Sequence, residues 1–452
     1  MTETVTLPLW QLFVLLAFAA VTFASHFLFP SVRWFFRRRM ERAVERLNQR
    51  LDRPIEAFRL TARTDTIQRL IYDPEVTAAV VEHARETGVR EDVAFEEAKR
   101  YAKEIVPAFS AGLYFGFAIR AARFISNSLY RVRLGYHDEA GLKGIDPDAT
   151  VVFVMNHRSN LDYVLVTYLA AERSALSYAV GEWARVWPLS RLIRALGGFF
   201  IRRRSRNALY RRVLARYVAL ATKGGVAQAM FPEGGLSLDG ALAPPRVGLL
   251  KYIVEGAQED GRDVVFVPVA INYDRVLEDR ILIAANAGGE RRFRAGLGGV
   301  MRFWLKQLWL RFTGRFHRFG YAAVSFGTPV SLKDSSSEPE VLATQVMERI
   351  GTIVPVLPVP IVASLFEPGS RLTRQELGAA FDRSLEELPG AHIHIPRDDK
   401  DYAKEAGLRM LLERGLLVEE GGSLRIAEGE EAAVAFYGNS VRHLKKPPVS
   451  SA

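Results

Sequence analysis

Four short runs alternate with stretches of helical periodicity between Thr150 and Pro329: Val151–Met155 and Val264–Ile271, rich in β-branched residues, and the mainly apolar Ala227–Phe231 and Ala322–Phe326. Runs this short and continuous have no polar face to offer water, so each must be covered on both sides. That condition is met by strands inside a sheet with helices packed on its two faces. The pattern therefore predicts an α/β unit built on an open, mixed but largely parallel sheet flanked by helices.

At 452 residues the chain is too long for one typical core, and its texture divides into four regions. Residues 1–32 hold an apolar run, Leu7–Phe29, without a single acid, Lys or Arg. As a helix it reaches roughly 35 Å, enough to cross a bilayer. Arg33, Arg37, Arg38, Arg39 and Arg42 follow it, while only Glu3 precedes it. The positive-inside rule then places the following residues in the cytoplasm, beneath a single N-terminal transmembrane helix. A cleaved leader carries its charges before the apolar run, which is not the order here. Residues 33–112 read as a helical region, and Leu113–Val132 as an amphipathic or domain-bridging helix interrupted by Arg120, Arg123 and Arg131.

The α/β region spans 113–335. Within it, Trp304, Leu305, Leu308, Trp309 and Phe312 lie among Arg302, Lys306, Arg311, Arg315 and Arg318. This mixture fits either a helix at a bilayer surface or a buried helix with a solvated basic face. Residues 336–452 form a small C-terminal unit. Helical stretches at Leu372–Leu388 and Lys404–Glu413 precede a hairpin with Gly421-Gly422 at its turn, so the unit is winged-helix-like.

A net charge of +10 suits anionic lipid headgroups, phosphorylated substrates, acidic carrier proteins or nucleic acid. The helix Lys404–Glu413 sets Glu405 and Glu413 among its bases, a poor surface for phosphates, so no nucleic acid is expected. The chain has no cysteine, which excludes a disulfide framework, a thiolate nucleophile and any acyl-cysteine intermediate. With no cysteine and no clustered histidines, no metal is expected.

The strongest chemical signal is Asn156-His157-Arg158-Ser159-Asn160-Leu161-Asp162-Tyr163, directly after the strand Val151–Met155. Ligands of open α/β sheets gather at the carboxyl ends of strands. A carboxylate at Asp162 could accept from Nδ1 of His157, leaving Nε2 to take a proton from a hydroxyl. That is a serine-type triad in which the substrate supplies the hydroxyl. The plainer alternative is that Asp162 or Asn160 caps the following helix and His157 is structural.

Three further blocks follow in order: Gly197-Gly198-Phe199-Phe200-Ile201-Arg202-Arg203, Phe231-Pro232-Glu233-Gly234-Gly235, and Val265-Phe266-Val267-Pro268-Val269-Ala270-Ile271. Together with the His157 block they resemble the four motifs of the glycerolipid acyltransferase superfamily. Arg158 and Tyr163 look most like its glycerol-3-phosphate acyltransferase branch. Gly320–Pro329 and Phe436-Tyr437-Gly438-Asn439-Ser440 extend the likeness toward the C-terminus.

The resemblance implies His157 and Asp162 as the catalytic pair, with Arg158 and Ser159 beside them at the substrate. It implies Arg202 and Arg203 as a phosphate clamp, against a membrane-facing basic patch. Glu233, Gly234 and Gly235 would offer backbone donors near the ligand, or form an ordinary turn. Pro268 would shape the acyl or donor pocket, or simply end a strand. The reaction implied is acyl transfer to glycerol 3-phosphate, with acyl-CoA or acyl-carrier protein as co-substrate and no cofactor. Its setting is a bilayer with anionic lipids, expected to be a bacterial inner membrane.

The third block departs from the family pattern, which continues Glu-Gly-x-Arg-Ser where this chain has Leu236-Ser237. Arg246, in Pro244-Pro245-Arg246, is near enough in sequence to substitute for the missing arginine, or is a solvated loop residue. The departure raises the standing of dihydroxyacetone phosphate as acceptor, or of a weaker phosphate site; 1-acylglycerol 3-phosphate is the other same-class alternative.

Overall fold

The computed structural model describes residues 8–18, 42, 44–49, 51, 53–170, 175–181, 185, 189–202, 205, 207–258, 261–288, 309, 313, 318–388 and 390–445. They fall into two units, one up to Ile55 and one from Glu56 onward. In the first, residues 9–18 are helical and their apolar side chains, Trp10 and Phe13 among them, are exposed. Most of the predicted span beyond Phe18 lies outside the described residues. Among the described residues no helix is long and apolar enough to cross a membrane. The basic aromatic stretch Arg291–Arg318 also lies almost wholly outside them.

The second unit opens with helices α1 (Arg63–Ile71), α2 (Pro74–Thr87) and α3 (Glu91–Ile105). Asp73 starts α2 by accepting from the Glu75 amide, with Pro74 at the first helical position, where a missing N–H costs nothing. After a π-helical turn at Tyr114–Ala118 comes α4 (Ile119–Leu129). The sequence predicts this helix through Val132. Instead Arg131–His137 leave it as strand β1 and pair in parallel with a strand nearly two hundred residues later, a contact local periodicity cannot reveal.

The α/β core follows in chain order. It comprises β2 (Thr150–Met155), α5 (Asp162–Ala170), β3 (Ser177–Gly181), α6 (Leu189–Ala195), β4 (Phe199–Ile201) and α7 (Ala208–Lys223). Then come β5 (Gln228–Met230), α8 (Gly248–Gln258), β6 (Val264–Tyr273), α9 (Asp279–Gly288), β7 (Tyr321–Phe326) and β8 (Val330–Ser331). The sheet order is β1-β7-β6-β2-β5-β3-β4, with β8 pairing β6. Strands β6, β2, β5, β3 and β4 run parallel, so their carboxyl ends share one edge. β7 and β8 are antiparallel to β6, which makes the sheet mixed.

Alternation along β2 divides the core. Val151, Phe153 and Met155 join one apolar cluster, Val152 and Val154 the other. The second cluster is covered by α1–α3, α7, α8 and α10 (Pro339–Thr352). The first is covered by α5 and by the C-terminal residues from Val356 to Val441. These residues include α11 (Pro358–Ala363), β9 (Arg371–Thr373), α12 (Arg374–Glu386) and α13 (Lys400–Glu413). β10 (Leu417–Glu420), β11 (Ser423–Ile426) and α14 (Glu431–Arg442) complete them. The hairpin predicted at Gly421-Gly422 forms, and both glycines take positive φ. The predicted helix Leu372–Leu388 gives up its start, because Leu372 and Thr373 pair with β11 and Thr373 then caps α12 through a capping box.

Close helix packing depends on Gly407 of α13. A methyl there would overlap the Pro358 carbonyl oxygen and stand 2.9 Å from Val362 Cγ2 of α11. Alanine raises intrinsic helix stability over glycine by about 1 kcal/mol, whereas overpacking a rigid backbone contact costs about 1–3 kcal/mol. Overlap with a carbonyl cannot be relieved by a side-chain rotation, so the second effect wins. Gly407→Ala should lower stability to denaturant; a rise would show that α11 and α13 separate easily.

Candidate active site

The loop after β2 turns around one carboxylate. Asp162 is fully buried, and its Oδ2 accepts from His157 Nδ1 at 2.9 Å, Arg158 N at 2.7 Å and Ser159 N at 3.0 Å. Its Oδ1 accepts from the Tyr273 hydroxyl at 2.6 Å. Asp162 is also the first residue of α5, where a negative charge meets the positive end of the helix dipole. The capping role and the histidine-orienting role, alternatives in the sequence, are thus filled by one side chain. Because a carboxylate only accepts, the proton sits on Nδ1 and Nε2 is the basic nitrogen of the ring.

The imidazole is 2% exposed and stacks on Phe231 at a centroid distance of 3.9 Å, with Tyr163 meeting it edge-on at 5.8 Å. Phe231 directly follows β5, the neighbour of β2. Glu233 stands two residues further on. Its carboxylate accepts from His157 N at 2.8 Å and from Ala243 N at 3.1 Å. The third block therefore holds the His157 loop through its backbone. Burial pushes the Glu233 carboxyl up to about 7, against the pull of those two N–H donors.

Gly234 takes φ +70°, and a side chain there would meet Arg246 Cδ at 2.8 Å. Its N–H turns back to the Phe231 carbonyl at 3.1 Å, whereas the N–H of Gly235 meets no acceptor among the described residues. Arg246 is exposed and anchored at its backbone, N to Pro232 O at 2.7 Å, so its side chain lies over the Glu233-Gly234 turn.

Other residues expected at the site are placed differently. Arg158 is buried; its guanidinium donates to the Gly240 carbonyl and lies over Phe436 at 5.2 Å. Ser159 Oγ donates to Glu278 at 2.7 Å. Both side chains hold the loop. Arg202 forms a two-pronged pair with Glu104 of α3, Nε at 2.9 Å and Nη2 at 2.7 Å, and Arg185 shares that carboxylate at 2.7 Å. Three strand steps separate β2 from β4, roughly 14 Å across the sheet. Arg203 lies outside the described residues. Pro268 is mid-strand rather than at a strand end. It pairs opposite Val154 where β6 passes from its β8 contact to its β7 contact, the place in the ladder that tolerates a missing N–H.

Tyr273 and Glu278 are functional neighbours that sequence reasoning missed. Tyr273 lies two residues beyond the predicted end of its strand, and Glu278 in the turn after it. The only local trace is the run of polar residues Asn272–Asp274 closing an apolar strand.

Residues 138–272 match the acyltransferase family model, a span that contains the His157 loop and the later blocks through β6. The chain is 26% identical to a glycerol-3-phosphate acyltransferase of Xanthomonas campestris, over 90% of this chain and 48% of the relative. It is also 26% identical to one of Pseudomonas putida, over 85% of this chain and 49% of the relative. The chain thus spans about half the length of the curated relatives it matches. Among solved structures, a 1-acyl-sn-glycerophosphate acyltransferase from Thermotoga maritima matches at 23% identity and a TM-score of 0.33, covering 52% of this chain and 75% of that one.

Glu233 makes the site's stability depend on pH. Its folded value near 7 lies above the ordinary carboxyl value of 4.5. Its contribution is therefore full below that ordinary value and is lost as pH rises through about 7. Glu233→Gln stays neutral and loses one acceptor, at a cost of about 1–3 kcal/mol. In denaturant unfolding the variant's deficit should be largest near the ordinary carboxyl value and narrow toward neutrality. A deficit that widens with pH would contradict the raised value.

Proposed function

We propose that this chain, whose residues 138–272 match the acyltransferase family model, moves a fatty acyl group from a thioester to the C1 hydroxyl of glycerol 3-phosphate. The observation that carries the reading is the buried His157–Asp162 pair at the carboxyl edge of the sheet, proton on Nδ1 and base at Nε2. The relatives' names supply the acceptor.

Nε2 of His157 takes the C1 hydroxyl proton as the oxygen attacks the thioester carbonyl, and Asp162 stabilises the imidazolium that forms. The Gly235 N–H is the donor available at the adjoining turn for the tetrahedral oxyanion. Collapse breaks the C–S bond, and the imidazolium returns its proton to the departing thiolate. The products are 1-acylglycerol 3-phosphate and free thiol, and no cofactor enters the balance.

Arg246 is the phosphate partner that the geometry favours. It lies over the turn after β5, one strand from β2, whereas Arg202 is three strands away and already paired with Glu104. The donor is acyl-CoA or acyl-carrier protein. The run Leu7–Phe29 anchors the enzyme at a membrane rich in anionic lipids, with the catalytic region on the cytoplasmic side, where the product stays in the bilayer. Leu236, standing in for the family arginine, favours one second reading, dihydroxyacetone phosphate or 1-acylglycerol 3-phosphate as acceptor.

One assay tests these statements: both donors against the three acceptors, in the parent, His157→Ala and Arg246→Ala. Turnover should be fastest on glycerol 3-phosphate and fall about 10²–10⁴-fold in a folded His157→Ala. Arg246→Ala should raise the KM for glycerol 3-phosphate and leave the donor KM alone. Near-parent turnover in His157→Ala rules out the general-base role. Preference for another acceptor moves the assignment to the second reading.

A further inference from the structure

The segment Phe436-Tyr437-Gly438-Asn439-Ser440 of α14 takes no part in the chemistry above, yet it touches both sides of the catalytic loop. We infer that α14 is a positioning element of the active site, which it holds through two latches, with Tyr437 central to one and Asn439 to the other.

The first latch runs through the end of β6. The Tyr437 hydroxyl donates to Asp279 Oδ2 at 2.6 Å and accepts from Val276 N at 3.2 Å, and Arg414, the residue after α13, donates to the same Asp279 oxygen. This fixes the turn between β6 and α9, where Glu278 sits. Glu278 in turn accepts from Ser159 Oγ at 2.7 Å and Asn160 N at 3.2 Å, in the middle of the His157–Asp162 loop. Tyr437 and Asp279 are buried, so their bond is shielded from competing water.

The second latch runs through residues 237–241. Asn439 Nδ2 donates to Asp239 O at 2.9 Å. Gly240, at φ +86°, presses against the Phe436 backbone so closely that no side chain fits there. Arg158, the residue after the catalytic histidine, donates to the Gly240 carbonyl with its guanidinium on the Phe436 ring. Ser237 N donates to His157 O at 2.9 Å. Beneath both latches, Asn272 Nδ2 donates to Ser440 Oγ at 3.2 Å.

A base must stand within a few tenths of an ångström of its working position, and a displacement of about 1 Å can cost 10²-fold in rate. Helix α14 therefore sets the geometry of a loop nearly three hundred residues before it. Its kinetic consequence rests on the acyl-transfer reading; its mechanical consequence does not.

The test uses the full chain with Tyr437→Phe, which removes only the hydroxyl of the first latch, and Asn439→Ala, which removes the amide that bonds Asp239 in the second. Arg374→Ala, which removes only exposed ion pairs with Glu405 and Glu419 in the same unit, is the control. Two quantities are read: hydrogen exchange of the Arg158, Ser159 and Asn160 amides, and kcat and KM for acyl transfer. Both latch variants should exchange these amides faster and lose about 10- to 100-fold in kcat, with acceptor KM within about twofold of the parent. Arg374→Ala should match the parent in both. Unchanged exchange in the loop overturns the inference, as does faster exchange with parent kcat. Loss of activity matched by faster exchange throughout the molecule, or a raised KM with kcat intact, also overturns it. If the parent transfers no acyl group to any acceptor, the functional reading fails, and loop exchange alone decides whether the latches exist.

Discussion

A buried carboxylate with four donors is the constraint on which the rest of this structure depends. An unpaired ionised group in a protein interior costs several kcal/mol. Asp162 avoids that only because the imidazole, two loop amides and the Tyr273 hydroxyl all converge on it. The amides require the tight turn of residues 156–162, and the hydroxyl requires β6 to run parallel to β2 and end beside it. The imidazole, once bonded, has its tautomer chosen for it. Fold, loop and base are thus one arrangement.

The parallel part of the sheet does the rest. β2, β5 and β6 end at a common edge, so residues far apart in sequence, His157, Phe231 and Tyr273, meet without a long connection. Glu233 ties the loop after β5 to the His157 backbone, and Glu278 ties the turn after β6 to Ser159. Two buried carboxylates raised by desolvation thereby brace a third that keeps four donors.

What could be read beforehand follows from the range of each interaction. Four strands of the core, β2, β5, β6 and β7, announced themselves as short apolar runs, whereas β3 and β4, short and buried in the same sheet, did not. The His157–Asp162 pair was visible because its partners are five residues apart. β1 was hidden, since its pairing with β7 spans nearly two hundred residues and its own residues alternate exposed and half-buried at the sheet edge. Arg158 and Ser159 could be placed at the site, but what they do there could not be read, because their partners, Phe436 and Glu278, are distant in sequence. Arg202 shows the same limit: its pairing with Glu104 of α3 reaches a residue 98 positions earlier, which nothing in its own block announces. The latches of α14 left only the string Phe436–Ser440 as a trace, with nothing local to say which loop it touches.

The central claim is that Asp162 fixes the proton of His157 on Nδ1 so that Nε2 can act as base. Nitrogen NMR of the labelled imidazole, in the parent and in Asp162→Asn, tests it most directly. An Nδ1–H tautomer is expected in the parent. In the variant Nε2–H is expected, with the loss of turnover of about 10⁴-fold that a wrong tautomer brings in such pairs. An Nε2–H tautomer in the parent, or an Asp162→Asn protein that keeps both the parent tautomer and the parent rate, would contradict it.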